Sequence, residues 1–216
     1  MILRGSKRRC PHLVISRFLG ADVVECLLSH VEKQRTAFEP ATVSVYHGEA
    51  RVAKVNVESR DCLRLADICP FRPLMKQAIG QILPTAMAAL GILGQTAKLR
   101  EFECCAYGDR SFFLPHIDTS RTGPRRVISC VYYFFREPAR FTGGELRLYA
   151  WRRLTATEAA PPETIDIIPE CDSLVLFPSA LRHEVRPVAC PSGEWRDFRF
   201  TINCWAYMPA QSSTVC

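Results

Sequence analysis

The chain has 216 residues, a length typical of one domain with a substantial core, so we predict a single domain, 1–216. Apolar residues make up 48% of the sequence and charged residues 23%, which excludes a disordered chain and predicts a globular, soluble protein. The net charge of +6 could attract an acidic partner or nucleic acid, but a solvated basic surface explains it equally well. No motif typical of nucleic-acid binding accompanies the basic residues.

Features that would place the chain in or across a membrane are missing from the sequence. The most apolar segment, 74–93, is interrupted by polar residues and proline, so we interpret it as a buried helix. The basic start, 1–10, is followed by an apolar run that Arg17 breaks, which makes a poor signal peptide. The eleven cysteines include no Cys-x-x-Cys pair, so reduced and mostly buried thiols are expected. We therefore expect a cytoplasmic protein without a membrane partner.

The first hundred residues, 1–100, are predicted to form a support region of helices and a hairpin. The segment 22–35 has apolar residues at helical spacing, and Asp22 is expected to cap its start. Segments 43–46 and 52–57 have strand character and are separated by a turn signal, which predicts a β-hairpin.

A second helix is predicted over 73–89, with Pro84 kinking or dividing it. From residue 101 the chain changes to short apolar strands separated by Gly, Pro and Asp. The strands predicted in this part are 102–107, 127–135, 146–149, 165–168, 174–177 and 198–207. Many short strands with turn signals are typical of a jelly roll. We therefore predict an α+β, mainly β fold, in which a double-stranded β-helix core over 101–210 carries the N-terminal helices on its outside.

The tripeptide His116-Ile117-Asp118 is the first candidate for a metal site. Residues i and i+2 of a strand share a face, so His116 and Asp118 should point the same way and Ile117 into packing. His183, which follows the turn residue Pro178, is the candidate third ligand. Two imidazoles and one carboxylate can fill one face of an octahedral ferrous ion and leave the opposite face for a cosubstrate and oxygen. We refer to His116, Asp118 and His183 as the metal triad.

The predicted strand 198–207 carries candidates for binding a cosubstrate. Its alternation places four polar or aromatic residues on one face: Arg199, Thr201, Asn203 and Trp205. The planar guanidinium of Arg199 suits the distal carboxylate of a small dicarboxylate, and Thr201 would add a hydroxyl from the same face. Trp205 on this face fits a partly closed pocket better than open solvent.

Two tyrosines are further candidates for the cosubstrate site. Tyr133 lies in the very apolar predicted strand 127–135, where a buried phenol needs a polar partner. Tyr107 precedes His116 by a short segment. A place in the hydrophobic core is an equally good interpretation of Tyr107.

Taken together, these residues resemble the prolyl 4-hydroxylase-like branch of the Fe(II)/2-oxoglutarate-dependent dioxygenases. The matching segments are 105–107, 116–118, 127–134, 143–147, 183–187 and 199–205. They lie within 101–207, about half of the chain, and their joint specificity is high. The N-terminal half matches the family only in outline.

The resemblance implies a double-stranded β-helix in which the metal triad holds iron. It implies that Arg199 and Tyr133 hold the distal carboxylate of 2-oxoglutarate, with Tyr107 close to it. It also implies that the hairpin within 43–57 helps to cover the substrate. The stretch before Arg199 is longer than in compact relatives, so Arg196 is a rival anchor for the carboxylate.

The activity implied by the resemblance is hydroxylation of an unactivated C–H bond with Fe(II), 2-oxoglutarate and O2, and ascorbate is a candidate reductant. The leading substrate is a prolyl or other side chain in a protein or peptide, and a free amino acid or natural-product intermediate is the alternative. Trp205, Asn203 and Arg121 are candidate substrate contacts. Nucleic-acid demethylation is less favoured because Thr201 precedes Asn203 and no arginine follows. A non-catalytic cupin-like binding domain is disfavoured by the intact triad, and the oligomeric state stays open.

Overall fold

The computed structural model describes residues 2–4, 9–47, 50–92, 96–119, 125–151 and 162–208, and of residues 2–4, 45–47, 50 and 51 the backbone alone. The helices are α1 (Ala21–Lys33) and α2 (Phe71–Ala89), and two 3-10 helices cover Arg35–Ala37 and Trp195–Asp197. The strands are β1 (Ile2–Arg4), β2 (Leu13–Ser16), β3 (Glu39–Pro40), β4 (Thr42–His47), β5 (Ala50–Val55), β6 (Arg60–Asp61), β7 (Leu63–Leu65), β8 (Lys98–Tyr107), β9 (Phe112–His116), β10 (Arg125–Phe134), β11 (Thr142–Gly143), β12 (Leu146–Tyr149), β13 (Thr164–Ile167), β14 (Ser173–Pro178), β15 (His183–Val185), β16 (Val188–Ala189) and β17 (Arg199–Met208).

Two antiparallel sheets carry the core. The large sheet has eight strands in the order β1-β2-β14-β10-β17-β8-β7-β3, and the small sheet has five in the order β13-β12-β15-β9-β6. Side chains from both sheets share one buried cluster, so the sheets face each other. β11 pairs with β16, and β4 pairs with β5 as the predicted hairpin. This arrangement confirms the predicted jelly-roll core.

The two faces of the large sheet meet different neighbours because successive side chains of a strand alternate. On β10 and β17, Tyr132 and Ile202 pack with the helices, whereas Tyr133 and Thr201 line the space between the sheets. Nine buried residues of the two helices belong to the outer core: Val24, Leu27, Leu28, Val31, Met75, Ile79, Leu83, Ala86 and Met87. Both faces of β17 are therefore covered, one by helices and the other by the small sheet and its cavity.

The start of α1 differs from the prediction. Gly20, with φ 92, is the N-cap and makes no side-chain capping hydrogen bond, while Asp22 lies in the first turn. The carboxylate that meets this end comes from Asp172, which accepts the backbone N–H groups of Leu19 at 2.8 Å and Gly20 at 2.9 Å. The expected cap by Asp22 was wrong because a distant residue takes that place.

Other predicted elements are present with shifted ends. α2 is one helix with Pro84 inside it, so the proline does not divide it. All six strands predicted beyond residue 101 are found, and β8 shows the largest change because it begins at Lys98. The sequence did not predict β2, which lies beside β14, or β7, which lies beside β8. The proposed boundary between 1–100 and 101–210 stays a prediction. Neither described helix has the length and apolar character needed to cross a bilayer.

Candidate active site

The metal triad comes together at the end of two neighbouring strands. His116 ends β9, His183 begins β15, and the two residues are direct partners in the ladder. Asp118 Oδ1 lies 3.6 Å from His116 Nε2, and its Oδ2 lies 3.5 Å from His183 Nε2. One ligand atom from each residue can be chosen so that all three lie within 4.8 Å of one another, close enough to hold one metal ion.

Asp118 reaches this position by a different route from the one predicted. β9 ends at His116, and the backbone N–H of Asp118 donates to the carbonyl of Ser179 at 2.9 Å instead of continuing the ladder. Ile117 was expected to pack in the interior, but it is 52% exposed. The strand-face argument therefore predicted that His116 and Asp118 lie close together, which the structure shows, but it gave an incorrect local geometry.

Both imidazoles are oriented by backbone carbonyls. The Nδ1 atom of His116 lies 2.8 Å from the oxygen of Leu114, and that of His183 lies 2.9 Å from the oxygen of Leu181. A carbonyl only accepts, so each Nδ1 carries the proton and each Nε2 presents a lone pair to a metal. Burial and the neighbouring His116 lower the pKa of His183 to about 4, which keeps this ring neutral near pH 7.

The carboxylate of Asp118 is held on one side by two donors. Its Oδ2 accepts hydrogen bonds from Ser129 Oγ at 2.6 Å and from Trp205 Nε1 at 2.8 Å. Burial alone would raise the pKa of Asp118, but His183, His116 and the Ser129 hydrogen bond hold it well below its ordinary value. Asp118 is thus an ionised carboxylate whose Oδ1 is free of these two donors and could bind a metal. Trp205, predicted as a substrate contact, touches this carboxylate.

A cavity of about 1270 Å³ connects the metal triad to the inner face of the large sheet. Residues paired across neighbouring strands form rows on that face. One row consists of Tyr133, Thr201, Cys105 and Arg64, and the next consists of Val131, Asn203 and Glu103. Asn203 donates to the Cys105 thiol at 3.3 Å. Arg121 lies outside the described residues.

Arg199 lies deep in the cavity without a polar partner. It is 1% exposed, and among the described residues none of its three guanidinium nitrogens has a hydrogen-bond partner. Its guanidinium carbon lies 4.1 Å from the ring centroid of Tyr107 and 5.2 Å from that of Tyr133. The buried hydroxyl of Thr201 also has no described partner. Because a buried, unpaired charge is costly, this end of the cavity fits an anion.

The two tyrosines remain neutral phenols. Burial raises the pKa of Tyr133, and burial with the nearby thiols of Cys62 and Cys105 raises that of Tyr107 well above its ordinary value. Each O–H is therefore retained as a potential donor to an anion. Arg196, the rival anchor, is exposed on the second 3-10 helix and does not line the cavity.

Several polar residues of the site were missed by the sequence prediction. Ser129 sits in an apolar strand and carries no motif, so its bond to Asp118 had no local signal. Arg60 donates to Glu103 at 2.8 Å and to the carbonyl of Thr42 at 3.0 Å. Burial alone would raise the pKa of Glu103, but Arg60 lowers it, so the two form a buried ion pair. Arg64 was also missed. It lies on β7, a short strand that is recognised by its pairing with β8 and not by a pattern in the sequence.

Comparisons with known proteins agree with this geometry. The family model described as the 2OG-Fe(II) oxygenase superfamily matches residues 102–207. An uncharacterized PKHD-type hydroxylase of Synechocystis sp. is 37% identical over 133 residues, which cover 61% of this chain and 44% of that relative. The match therefore spans less than half of the relative's length.

Solved structures share the fold. A prolyl-4-hydroxylase of Pseudomonas putida superposes with a TM-score of 0.65 at 23% identity, covering 93% of this chain and 94% of that one. A Trichoplax adhaerens prolyl hydroxylase, solved with a hypoxia inducible factor peptide, gives 0.59 at 18% identity, covering 91% and 83%. The superfamily implies Fe(II), 2-oxoglutarate and O2, which the triad and the buried guanidinium fit. Residues 102–207 of this chain therefore resemble the 2OG-Fe(II) oxygenase superfamily, and the metal triad lies within or beside the strands of that segment.

Proposed function

We propose that this protein is an Fe(II)- and 2-oxoglutarate-dependent dioxygenase that hydroxylates an unactivated C–H bond and releases succinate and CO2. The observation that carries the proposal is the buried, unpartnered guanidinium of Arg199 in the same cavity as the metal triad. One end of the cavity fits a carboxylate and the other fits a ferrous ion. A dicarboxylate bound by its distal end to Arg199 would reach toward the metal with its other end.

In this proposal, one set of residues holds iron and a second set binds 2-oxoglutarate. His116, Asp118 and His183 would hold iron through Nε2, Oδ1 and Nε2. Arg199, with the neutral phenols of Tyr107 and Tyr133, would orient 2-oxoglutarate. When bound, iron and 2-oxoglutarate supply the activation of O2 that C–H oxidation requires.

The surroundings of the triad would exclude water from that chemistry. Phe113 stacks on His116 with ring centroids 3.6 Å apart, and Phe177 meets His183 edge-on at 4.7 Å. Apolar rings on the two imidazoles leave the metal to face the cavity.

We propose a protein or peptide side chain as the substrate, with proline as the leading candidate. The cavity volume of about 1270 Å³ exceeds the roughly 300–1,000 Å³ that small-molecule sites usually enclose. Leu114 and Ile117 line the cavity and are 47% and 52% exposed, which offers apolar contacts to a chain lying across the opening. A free amino acid or other small molecule is the second candidate, and succinate release with peptides against free amino acids separates the two.

The iron and cosubstrate sites are tested without a substrate. Fe(II) and then 2-oxoglutarate are added anaerobically, and the weak visible charge-transfer band of the chelate is recorded. We expect a band in the native protein and none in His183→Ala. Arg199→Ala should need on the order of tenfold to a hundredfold more 2-oxoglutarate, because a charge-assisted pair is lost.

Arg196→Ala is the matched control, since it removes an exposed guanidinium three residues away. It should bind 2-oxoglutarate like the native protein. If Arg196→Ala weakens the band and Arg199→Ala does not, the anchor has been assigned to the wrong arginine. A folded, metal-loaded native protein without a band would refute the proposed function.

A further inference from the structure

The cavity is lined by more guanidinium groups than the cosubstrate needs. Five arginines line it: Arg60, Arg64, Arg72, Arg126 and Arg199. Three of them are hydrogen-bonded to carboxylates. Arg60 pairs with Glu103 at 2.8 Å, Arg72 with Asp67 at 3.3 Å, and Arg126 with Glu101. The charges of these three are therefore already balanced within the protein.

Arg64 and Arg199 have no such hydrogen-bonded carboxylate among the described residues. The nearest described carboxylate oxygen to Arg64 is Oε2 of Glu103, 4.0 Å from its Nη1, which is beyond hydrogen-bond distance. The Nε of Arg64 is buried, and among the described residues it has no hydrogen-bond partner. Glu103 carries a single negative charge between two guanidinium groups, and the closer one is Arg60, which donates to Oε1 at 2.8 Å. The side chain of Arg64 is 28% exposed, so it stays accessible from the cavity.

The position of Arg64 separates it from the cosubstrate anchor. Arg64, Cys105 and Thr201 are neighbours in one row across β7, β8 and β17. Adjacent strands lie about 4.8 Å apart, so Arg64 sits roughly 10 Å from Thr201 along the sheet. A dicarboxylate held by Arg199 and the metal triad would not use Arg64, and a second anion has room beside it.

We propose that Arg64 binds a carboxylate of the substrate, so that the substrate is an acid: a free amino acid's carboxylate or an acidic residue next to the oxidised one. This rests on the proposed function and deepens it by naming a charge that the substrate carries. The planar guanidinium fork matches a carboxylate through two parallel hydrogen bonds, and the Arg60–Glu103 pair beside it fixes the wall from which it projects. An uncharged substrate would leave Arg64 with only its long contact to Glu103, which Arg60 already shares.

The test compares acids with their amides as stimulators of 2-oxoglutarate turnover, measured as succinate release. One arm uses acetyl-Glu-Xaa-Glu-amide peptides against acetyl-Gln-Xaa-Gln-amide peptides, with Xaa each coded amino acid. The other arm uses free amino acids against their carboxamides. The chelate band of each protein is recorded first, so that loss of the cosubstrate site in a variant is seen separately. Absence of the band in the native protein would refute the proposed function itself.

We expect native protein to prefer the acids in one arm, and that arm identifies the source of the carboxylate. Arg64→Gln should remove the preference by raising KM for the acid on the order of tenfold or more, with a smaller effect on kcat. Arg64→Lys should retain part of the acid preference, since lysine keeps the positive charge but lacks the planar guanidinium that makes two parallel hydrogen bonds. Arg72→Gln, a cavity arginine already paired with Asp67, should keep the native preference.

Two results would overturn the assignment. One is an equal response to acid and amide in both arms, including no response to either. The other is an acid preference that Arg64→Gln retains, because the carboxylate would then be bound elsewhere.

Discussion

Asp118 has two oxygens with different neighbours, and this difference decides how it can bind a metal. Oδ2 is occupied by the hydroxyl of Ser129 at 2.6 Å and the indole N–H of Trp205 at 2.8 Å. Oδ1 is the oxygen that lies toward His116, 3.6 Å from its Nε2. Partners of this kind fix the orientation of a ligand and commonly change metal affinity by 10–100-fold when removed.

Trp205→Phe is therefore expected to weaken binding of Fe(II) by on the order of tenfold, since the ring is largely kept and the hydrogen bond to Asp118 is lost. The double variant Trp205→Phe, Ser129→Ala should bind Fe(II) more weakly still. Trp195→Phe changes a buried indole whose nitrogen has no partner among the described residues, and it should leave metal affinity unchanged. Anaerobic titration with Fe(II) measures all of these proteins. Equal affinities would mean that Trp205 only fills space.

Gly144 lies directly against the side chain of Arg199. Its φ is +70°, and an added Cβ would lie 2.9 Å from Arg199 Nε and 2.9 Å from Val188 Cγ2. Gly144→Ala should therefore move the guanidinium and raise the 2-oxoglutarate requirement by on the order of tenfold. It should also lower stability by roughly 1–2 kcal/mol through backbone strain.

Gly193→Ala separates these two effects. Gly193 has a similar φ of +60°, but an added Cβ there would meet nothing within 4 Å. We expect a comparable loss of stability without a change in the 2-oxoglutarate requirement, measured from the charge-transfer band. A matching loss of cosubstrate affinity in both variants would show that strain, and not contact with Arg199, is responsible.

At the scale of elements, one carboxylate joins α1 to the large sheet. Asp172 accepts the N–H groups of Leu19 and Gly20 and also the hydroxyl of Tyr132 at 2.8 Å. Asp172→Ala removes all three bonds and should cost about 2–4 kcal/mol of unfolding free energy. Tyr132→Phe removes one and should cost about 1 kcal/mol.

Urea unfolding followed by circular dichroism checks both values. The ratio between the two variants matters most, since it compares three lost bonds with one. A loss for Asp172→Ala no greater than that for Tyr132→Phe would contradict the view that this carboxylate fixes the start of α1.

Elements with a strong local pattern could be predicted from the sequence, and those defined by pairing could not. β17 alternates from Arg199 to Trp205, so its existence, faces and polar residues followed from the sequence. β7 has three residues and β6 has two, which is too short for a period to show. Arg60 and Arg64 enter the cavity from these strands, so the cationic wall could not be predicted.

The metal triad lies between these cases. The tripeptide 116–118 and His183 could be predicted as candidate ligands because chemistry alone limits the choice of residues, and the structure brings their side chains together. The bend that brings Asp118 close to His116 and His183 includes a backbone hydrogen bond to Ser179, a residue of another part of the chain. The candidate ligands could therefore be predicted from the sequence, whereas the contacts that orient them could not.

At the scale of the whole molecule, the two faces of the large sheet differ in polarity. The helices cover the outer face, and buried charges lie on the inner face. α1 and α2 cover the outer face with apolar side chains. Polar residues of β8, β10 and β17 consequently face the small sheet, where they line the cavity together with the triad. The guanidinium of Arg199 is the most deeply buried of these charges, at 1% exposure.

A buried charge without a partner should link stability to 2-oxoglutarate. With a redox-inert divalent metal such as Mn²⁺ present, 2-oxoglutarate at a hundred times its Kd should add about 2.7 kcal/mol. For a chain of this size that corresponds to a rise in Tm of roughly 5–10 °C. Arg199→Met should lose most of this rise, and without 2-oxoglutarate it should be at least as stable as the native protein, because a desolvated charge is replaced by an apolar side chain.

Arg196→Ala, changed at an exposed position, should keep the full rise. The combination expected for Arg199→Met is informative because a mutation that merely damaged the fold would lower Tm in both conditions. An Arg199→Met protein that is less stable without 2-oxoglutarate and still gains the native increment with it would place the dicarboxylate elsewhere. The buried guanidinium would then have to be explained as a structural group held by Tyr107 and Tyr133 alone.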